Sequence, residues 1–180
     1  DDIAAVVPAA ALQDALRIIQ DSNDEEIDLR FDEGQFGVTS NGTQLVSRLI
    51  DGQYPAYRQL IPESSEIQFQ IKRSDFLTAA KLASLFARES GGSITLKASE
   101  LDKTVTISSV ASQVGDNSSS IKGEVTGSGE VVVNVKYLTD ALNCFDSETV
   151  NFRFSGSISP CVLTSDAQPG YQHIVMPLKS

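Results

Sequence analysis

The sequence predicts an α+β protein built from repeated β-α-β-β-β units, with the helices on one face of antiparallel sheets. Three observations carry this expectation. A short strand, a helix and three further strands follow one another three times along the 180 residues. Apolar residues alternate with polar ones in the strand segments and recur at helical spacing in the helix segments. The helical register itself repeats, because Leu12-Gln13-Asp14-Ala15-Leu16 aligns with Leu138-Thr139-Asp140-Ala141-Leu142.

The first unit opens with a strand at Ile3–Val7 and enters a helix at about Ala9. Leu12, Ala15, Leu16 and Ile19 stand at i, i+3, i+4 and i+7 and mark its apolar face. Strands follow near Ile27–Phe31, Gln35–Ser40 and Thr43–Ile50. Asn41-Gly42 between the last two is a two-residue hairpin signal, since both central residues of that turn need positive φ. The second unit opens at Ile67–Ile71, and its helix starts near Ser74, whose hydroxyl suits an N-cap. That helix runs through Phe76, Leu77, Ala80 and Ala83 to about Arg88 and stops at Gly91-Gly92. Strands then fit Ser93–Ala98, Thr104–Ser109 and Ser120–Val125. The third unit opens at Val131–Val133 and repeats the helical face as Leu138, Ala141, Leu142 and Phe145. Strands near Thr149–Phe154, Cys161–Ser165 and Gln172–Met176 close it. Two such units pair their sheets and set both helices on one side. Three units make one and a half domains, and the chain lacks an initiator Met, so upstream sequence is expected.

Composition narrows the function. A hydrophobic content of 41% with 21% charged residues is that of a globular protein. The net charge of −10 argues against a general coat for nucleic acid, which draws on Lys and Arg. Cys144 and Cys161 have no metal-ligand or redox spacing and are expected as buried free thiols. His173 is the sole histidine, so a catalytic triad would rest on one residue; it reads as a surface or pocket-rim side chain. Gly127-Ser128-Gly129 precedes a strand rather than a helix and is a turn, not a phosphate loop. No catalytic residue, metal site or cofactor is expected.

The run Ser47-Arg48-Leu49-Ile50-Asp51-Gly52-Gln53-Tyr54-Pro55-Ala56-Tyr57-Arg58-Gln59-Leu60-Ile61-Pro62 resembles the segment leaving the middle domain of the bacterial DNA polymerase III beta subunit, the sliding clamp. The tail Ile174-Val175-Met176-Pro177-Leu178 is similar to that family's C-terminus, and Asn134-Val135-Lys136-Tyr137-Leu138 to the start of its final helix. The resemblance implies the DNA clamp fold, with residues 1–64 as the second half of the middle domain and 65–180 as the C-terminal domain. It further implies a cytoplasmic, non-catalytic processivity factor, a homodimeric ring when full length, that encircles duplex DNA without reading sequence. Its partners would be DNA polymerase, the clamp loader and repair proteins, held through short peptides resembling Gln-Leu-x-Leu-Phe.

Carried over position by position, the implied peptide pocket comprises Pro55, Gln59, Leu60, Asn134, Tyr137, Pro160, Ile174, Val175, Met176, Pro177 and Leu178. Gln59 departs from the family, in which many members carry Arg. A thioether such as that of Met176 suits a site that accepts several partners. The implied DNA contacts are Lys72, Arg73, Lys81, Arg88 and Lys136. The stretch from Lys72 to Glu89 holds four of these cations against Asp75 and Glu89, a locally basic helix in an acidic chain. The alternative is an extracellular β-rich binding or adhesion module, suggested by the acidity, the Ser/Thr-rich strands and the sequons at Asn41 and Asn117.

Overall fold

A computed structural model describes residues 3–22, 26–111 and 115–179. The chain divides into two compact units, residues 1–56 and 57–180.

In the first unit, helix α1 (Ala9–Asp21) lies with a three-stranded antiparallel sheet of β1 (Asp28–Phe31), β2 (Gln35–Ser40) and β3 (Thr43–Arg48), in that order. Asn41 and Gly42 have φ of 46° and 75°, so the hairpin takes the turn that the Asn-Gly pair signals. Phe36 and Val38 on β2 meet Ala15 of α1, with Val7, Ile19 and Leu45 closing the cluster. The helical face differs from the expected one. Ala11 and Ala15 are buried, whereas Leu12 and Leu16 are 49% and 53% exposed. The apolar stripe is wider than three strands can cover, and its small residues are the ones that approach the sheet closely. Nor is there a strand at Ile3–Val7. That segment receives the Ile50 N–H on the Val6 carbonyl (2.8 Å), and Pro8 then turns the chain into α1.

In the second unit a single 3-10 turn, Tyr57–Leu60, comes first. Then follow β4 (Ile67–Lys72), α2 (Arg73–Phe86), β5 (Ser93–Ser99), β6 (Thr104–Ala111), β7 (Gly115–Lys122) and β8 (Glu124–Thr126). The last repeat supplies β9 (Gly129–Asn134), α3 (Val135–Cys144), β10 (Thr149–Phe154), β11 (Cys161–Thr164) and β12 (Gln172–Val175). One sheet has the order β12-β11-β10-β4-β8 and the other β7-β6-β5-β9, all pairs antiparallel. Each repeat therefore places its first strand in the other repeat's sheet, β4 beside β10 and β9 beside β5. This exchange is a pseudo-twofold arrangement, and α2 and α3 pack side by side.

The core between sheets and helices is aromatic on one side. Phe69 and Phe152, opposite each other in register, stack with ring centroids 5.0 Å apart. Phe76 of α2 meets them edge-on at 5.8 and 6.1 Å, a favourable quadrupole geometry. Leu138, Ala141, Leu142 and Phe145 are buried as their spacing predicts. The expected strand Ser120–Val125 is instead two strands. The chain bends at Gly123 and passes from the four-stranded sheet to the five-stranded one.

Two helix starts are built differently. Asn134 caps α3, its side-chain oxygen accepting the Lys136 N–H at 2.9 Å. Ser74 does not cap α2; its hydroxyl donates to Asp75 (3.1 Å). Strand β4 runs straight into α2, and the Arg73 N–H is satisfied by the Glu148 carbonyl at 2.8 Å. Helix α2 also stops at Phe86, short of Arg88, with the Gly92 N–H returning to the Ala87 carbonyl (2.8 Å).

Candidate functional site

The five-stranded sheet has one face in the core and one turned away from it. Ile67, Phe69, Ile71, Val150, Phe152, Phe154, Cys161, Leu163 and Val175 face inward. By the two-residue alternation of strands, Val162 and Ile174, which pair across β11 and β12, lie on the outward face. Val162 is 0% exposed yet stands outside the core cluster, and Ile174 is half-buried. Of this pair only Ile174 keeps apolar surface that a ligand could touch. Val162 is not among the residues expected from the sequence. Its signal is the strand pairing, which sets it opposite Ile174 and which a linear reading does not contain.

The expected pocket residues separate into groups. Cys161 pairs with Val175, so the register continued by one residue sets Pro160 opposite Met176. Met176 is 52% exposed. After it the tail crosses to the other sheet, the Leu178 N–H donating to the Val132 carbonyl (2.8 Å) on β9. That bond brings Pro177 and Leu178 to the strand that ends at Asn134, and Tyr137 is exposed on the first turn of α3. Leu60 and Gln59 are exposed on the 3-10 turn, outside the core. Pro55 is an exposed residue of the first unit.

Two of the expected residues are occupied inside the fold. Val175 faces inward and belongs to the core, so its side chain is not offered to a ligand. Asn134 spends its oxygen on the α3 cap and donates through Nδ2 to the Gly91 carbonyl at 3.1 Å. A cap position fixes the amide before any partner arrives, a constraint the tail and helix motifs do not reveal.

The cations also divide. Lys72, Lys81 and Arg88 are exposed and make no ion pair among the described residues. Arg73 instead donates from Nε to the Ser147 carbonyl (3.0 Å) and from Nη1 to the Leu142 carbonyl (3.3 Å). It closes the C-terminal end of α3, where a cation complements the exposed carbonyls. Lys136 pairs with Asp140 at 2.7 Å, one turn along the helix, and that hydrogen-bonded carboxylate raises the lysine's pKa.

His173 lies on the inner side of β12, half-buried, with Nδ1 at 3.0 Å from the Tyr171 hydroxyl. Burial lowers its pKa, with Asp140 acting weakly the other way. Among the described residues no cluster of His, Cys, Asp and Glu could hold a metal ion. Nor is any described helix long and apolar enough to cross a membrane.

Residues 58–179 match the family of the C-terminal domain of the DNA polymerase III beta subunit, and residues 1–56 match the central domain of the same protein. The chain belongs to the DNA polymerase III beta subunit family. It is 32% identical to a Beta sliding clamp of Staphylococcus aureus over 181 residues, covering 97% of this chain and 46% of the relative. It thus spans about half the length of the curated relatives it matches. The DNA polymerase sliding clamp from Bacillus subtilis superposes with a TM-score of 0.83 at 27% identity, over 98% of this chain and 47% of that one. The DNA polymerase III beta chain from Streptococcus pneumoniae shares the fold with a TM-score of 0.85 at 24% identity, over 100% and 48% of the two chains. Sliding-clamp membership decides against the extracellular adhesion module.

Proposed function

We propose that this chain forms part of a cytoplasmic sliding clamp, a non-catalytic processivity factor for DNA polymerase. The observation that carries the reading is the family match across both compact units. In this reading the unit of residues 1–56 is the second half of the middle domain and that of residues 57–180 the C-terminal domain, a boundary eight residues before the one expected from the sequence at 64/65. The complete protein closes as a homodimeric ring around duplex DNA. Its effect is topological: it holds its partners near the template and raises their effective concentration there. Those partners are the polymerase, the clamp loader and repair proteins, each bound through a short peptide.

The peptide anchor sits against Ile174 and Met176, with Pro160, Pro177, Leu178, Tyr137, Gln59 and Leu60 around it. An apolar side chain entering there gains about 25 cal/mol per Å² of apolar surface buried. Part of that gain is offset by ordering a flexible peptide. The test is anisotropy titration of labelled Gln-Leu-Ala-Leu-Phe into the chain. Met176→Ala is expected to weaken binding by about 1–2 kcal/mol, roughly 5- to 30-fold. Equal affinities would remove Met176 from the site.

The DNA contact is made without sequence preference by Lys72, Lys81 and Arg88, with Arg73 and Lys136 contributing less because each already has an internal partner. Phosphate contacts release counterions, so retention on DNA falls as salt rises. In the complete clamp, neutralising Lys72, Lys81 and Arg88 together is expected to shorten retention on circular DNA after a salt challenge. Unchanged retention would refute the assignment.

A further inference from the structure

We propose that the face of the first unit that carries Leu12, Leu16, Leu29 and Phe31 docks a second copy of this chain, the Ile3–Val7 segment of each copy lying antiparallel to β1 of the other. This goes beyond the clamp reading, in which the complete protein would cover the same face from within its own chain.

The second unit supplies the pattern. There the first strand of each repeat lies in the other repeat's sheet, β9 against β5 and β4 against β10. In the first unit both halves of that exchange stand open. Among the described residues β1 has β2 on one side and no strand on the other, and Ile3–Val7 has no strand to lie beside. The segment is nevertheless placed as β9 is. Val6 accepts the Ile50 N–H as Val132 accepts the Leu178 N–H, each at 2.8 Å. Val6 and Val132 also stand six residues before the aligned leucines Leu12 and Leu138.

Burial follows the same division. Leu138 and Leu142 are fully buried where α3 lies beside α2, whereas Leu12 and Leu16, at the aligned positions of α1, are exposed. Strand β1 is exposed along its length, although Leu29 and Phe31 pair with the buried Val38 and Phe36. An apolar face continuous with a core marks an interaction surface, and an open strand edge is a template for pairing. What selects a second copy is self-complementarity. The unit carries both the open edge and the segment that fits it, so two copies related by a twofold axis satisfy each other twice. In the second unit Leu96 and Ala98 of β5 face Val131 and Gly129 of β9. Transferred to β1, that register sets Leu29 and Phe31 opposite Ala5 and Ile3 of the other copy. The register of β4 on β10, in which Phe152 and Phe154 face Phe69 and Ile67, gives the same pairing. The two copies of α1 then lie side by side on Leu12 and Leu16, as α2 and α3 do.

The test is sedimentation velocity of the 180-residue chain, which is expected to pass from monomer to dimer between about 1 and 100 μM. Leu29→Lys, at a side chain already exposed in the single copy, should raise the midpoint concentration roughly tenfold or more. Crosslinking reads the register. With Cys144→Ser as background, a mixture of the Ala5→Cys and Leu29→Cys chains should oxidise to a covalent dimer faster than either chain alone, because only unlike positions meet. A wild-type chain that stays monomeric at about 100 μM overturns the proposal without any variant having to fold, and leaves the clamp reading standing. A dimer unchanged by Leu29→Lys overturns it too, as does crosslinking of either chain with itself as fast as in the mixture.

Discussion

A methyl group added at Gly123 would collide with the Ile71 side chain and the Gln70 carbonyl, because the chain crosses β4 there on its way from one sheet to the other. Overpacking of this kind costs about 1–3 kcal/mol. Gly123→Ala is therefore expected to lower the urea midpoint of the chain by a corresponding amount. The two thiols make a second prediction. Cys161 is fully buried, and that burial pushes its pKa up to about 12, whereas Cys144 is exposed. A thiol reagent should label Cys144 in the native chain and reach Cys161 only on unfolding. The sequence places both on apolar elements and so predicts burial for both. What it does not contain is that Cys144 closes α3 on its outer side. His173 adds a pH dependence. The Tyr171 hydroxyl donates to Nδ1 while that nitrogen is unprotonated, and burial holds the pKa below 6.5. The neutral form is thus favoured by folding: the contribution is fully present above about pH 6.5 and is lost as pH falls through the lowered folded value. His173→Gln should flatten that part of the stability profile.

At the scale of elements, the two repeats use unlike helix starts on like helices. Asn134→Ala removes a cap and the bond to Gly91, and is expected to cost about 1–2 kcal/mol in thermal melts. Ser74→Ala should stay within about 0.5 kcal/mol, because the α2 start is held by Glu148 rather than by the hydroxyl. Periodicity made the strands Gln35–Ser40 and Thr149–Phe154 legible to the residue, since their faces alternate cleanly. It failed where long-range contact decides. Strand β7 begins at Gly115, earlier than its apolar pattern, because Asn117, Ser118 and Ser119 pair with β6 through backbone bonds that polar side chains do not announce. The candidate site was legible in outline from Ile174, Met176 and Pro160. That Val175 turns inward while Ile174 turns outward emerges only from register.

For the whole molecule, the two units differ in how much core they own. The large cluster runs from Ile67 to Val175 and includes none of the described residues before Tyr57. The cluster of the first unit is centred on Ala15, Phe36 and Val38. Residues 57–180 expressed alone are expected to melt cooperatively, whereas residues 1–56 alone should give the circular dichroism of an unfolded chain, because so small a core cannot offset chain entropy. The exchange of first strands between repeats also bears on time. On the ribosome β4 emerges early, yet its neighbour β10 follows only after α2, both intervening β-hairpins and α3 have been made. At about 5–20 residues per second that wait is on the order of seconds, long compared with the microseconds in which a helix forms. Throughout it, Ile67, Phe69 and Ile71 have no β10 to lie beside, and a nascent chain in that state is a natural client for chaperones. Neither repeat can finish first: the sheet that β4 begins is completed only when β12 joins it.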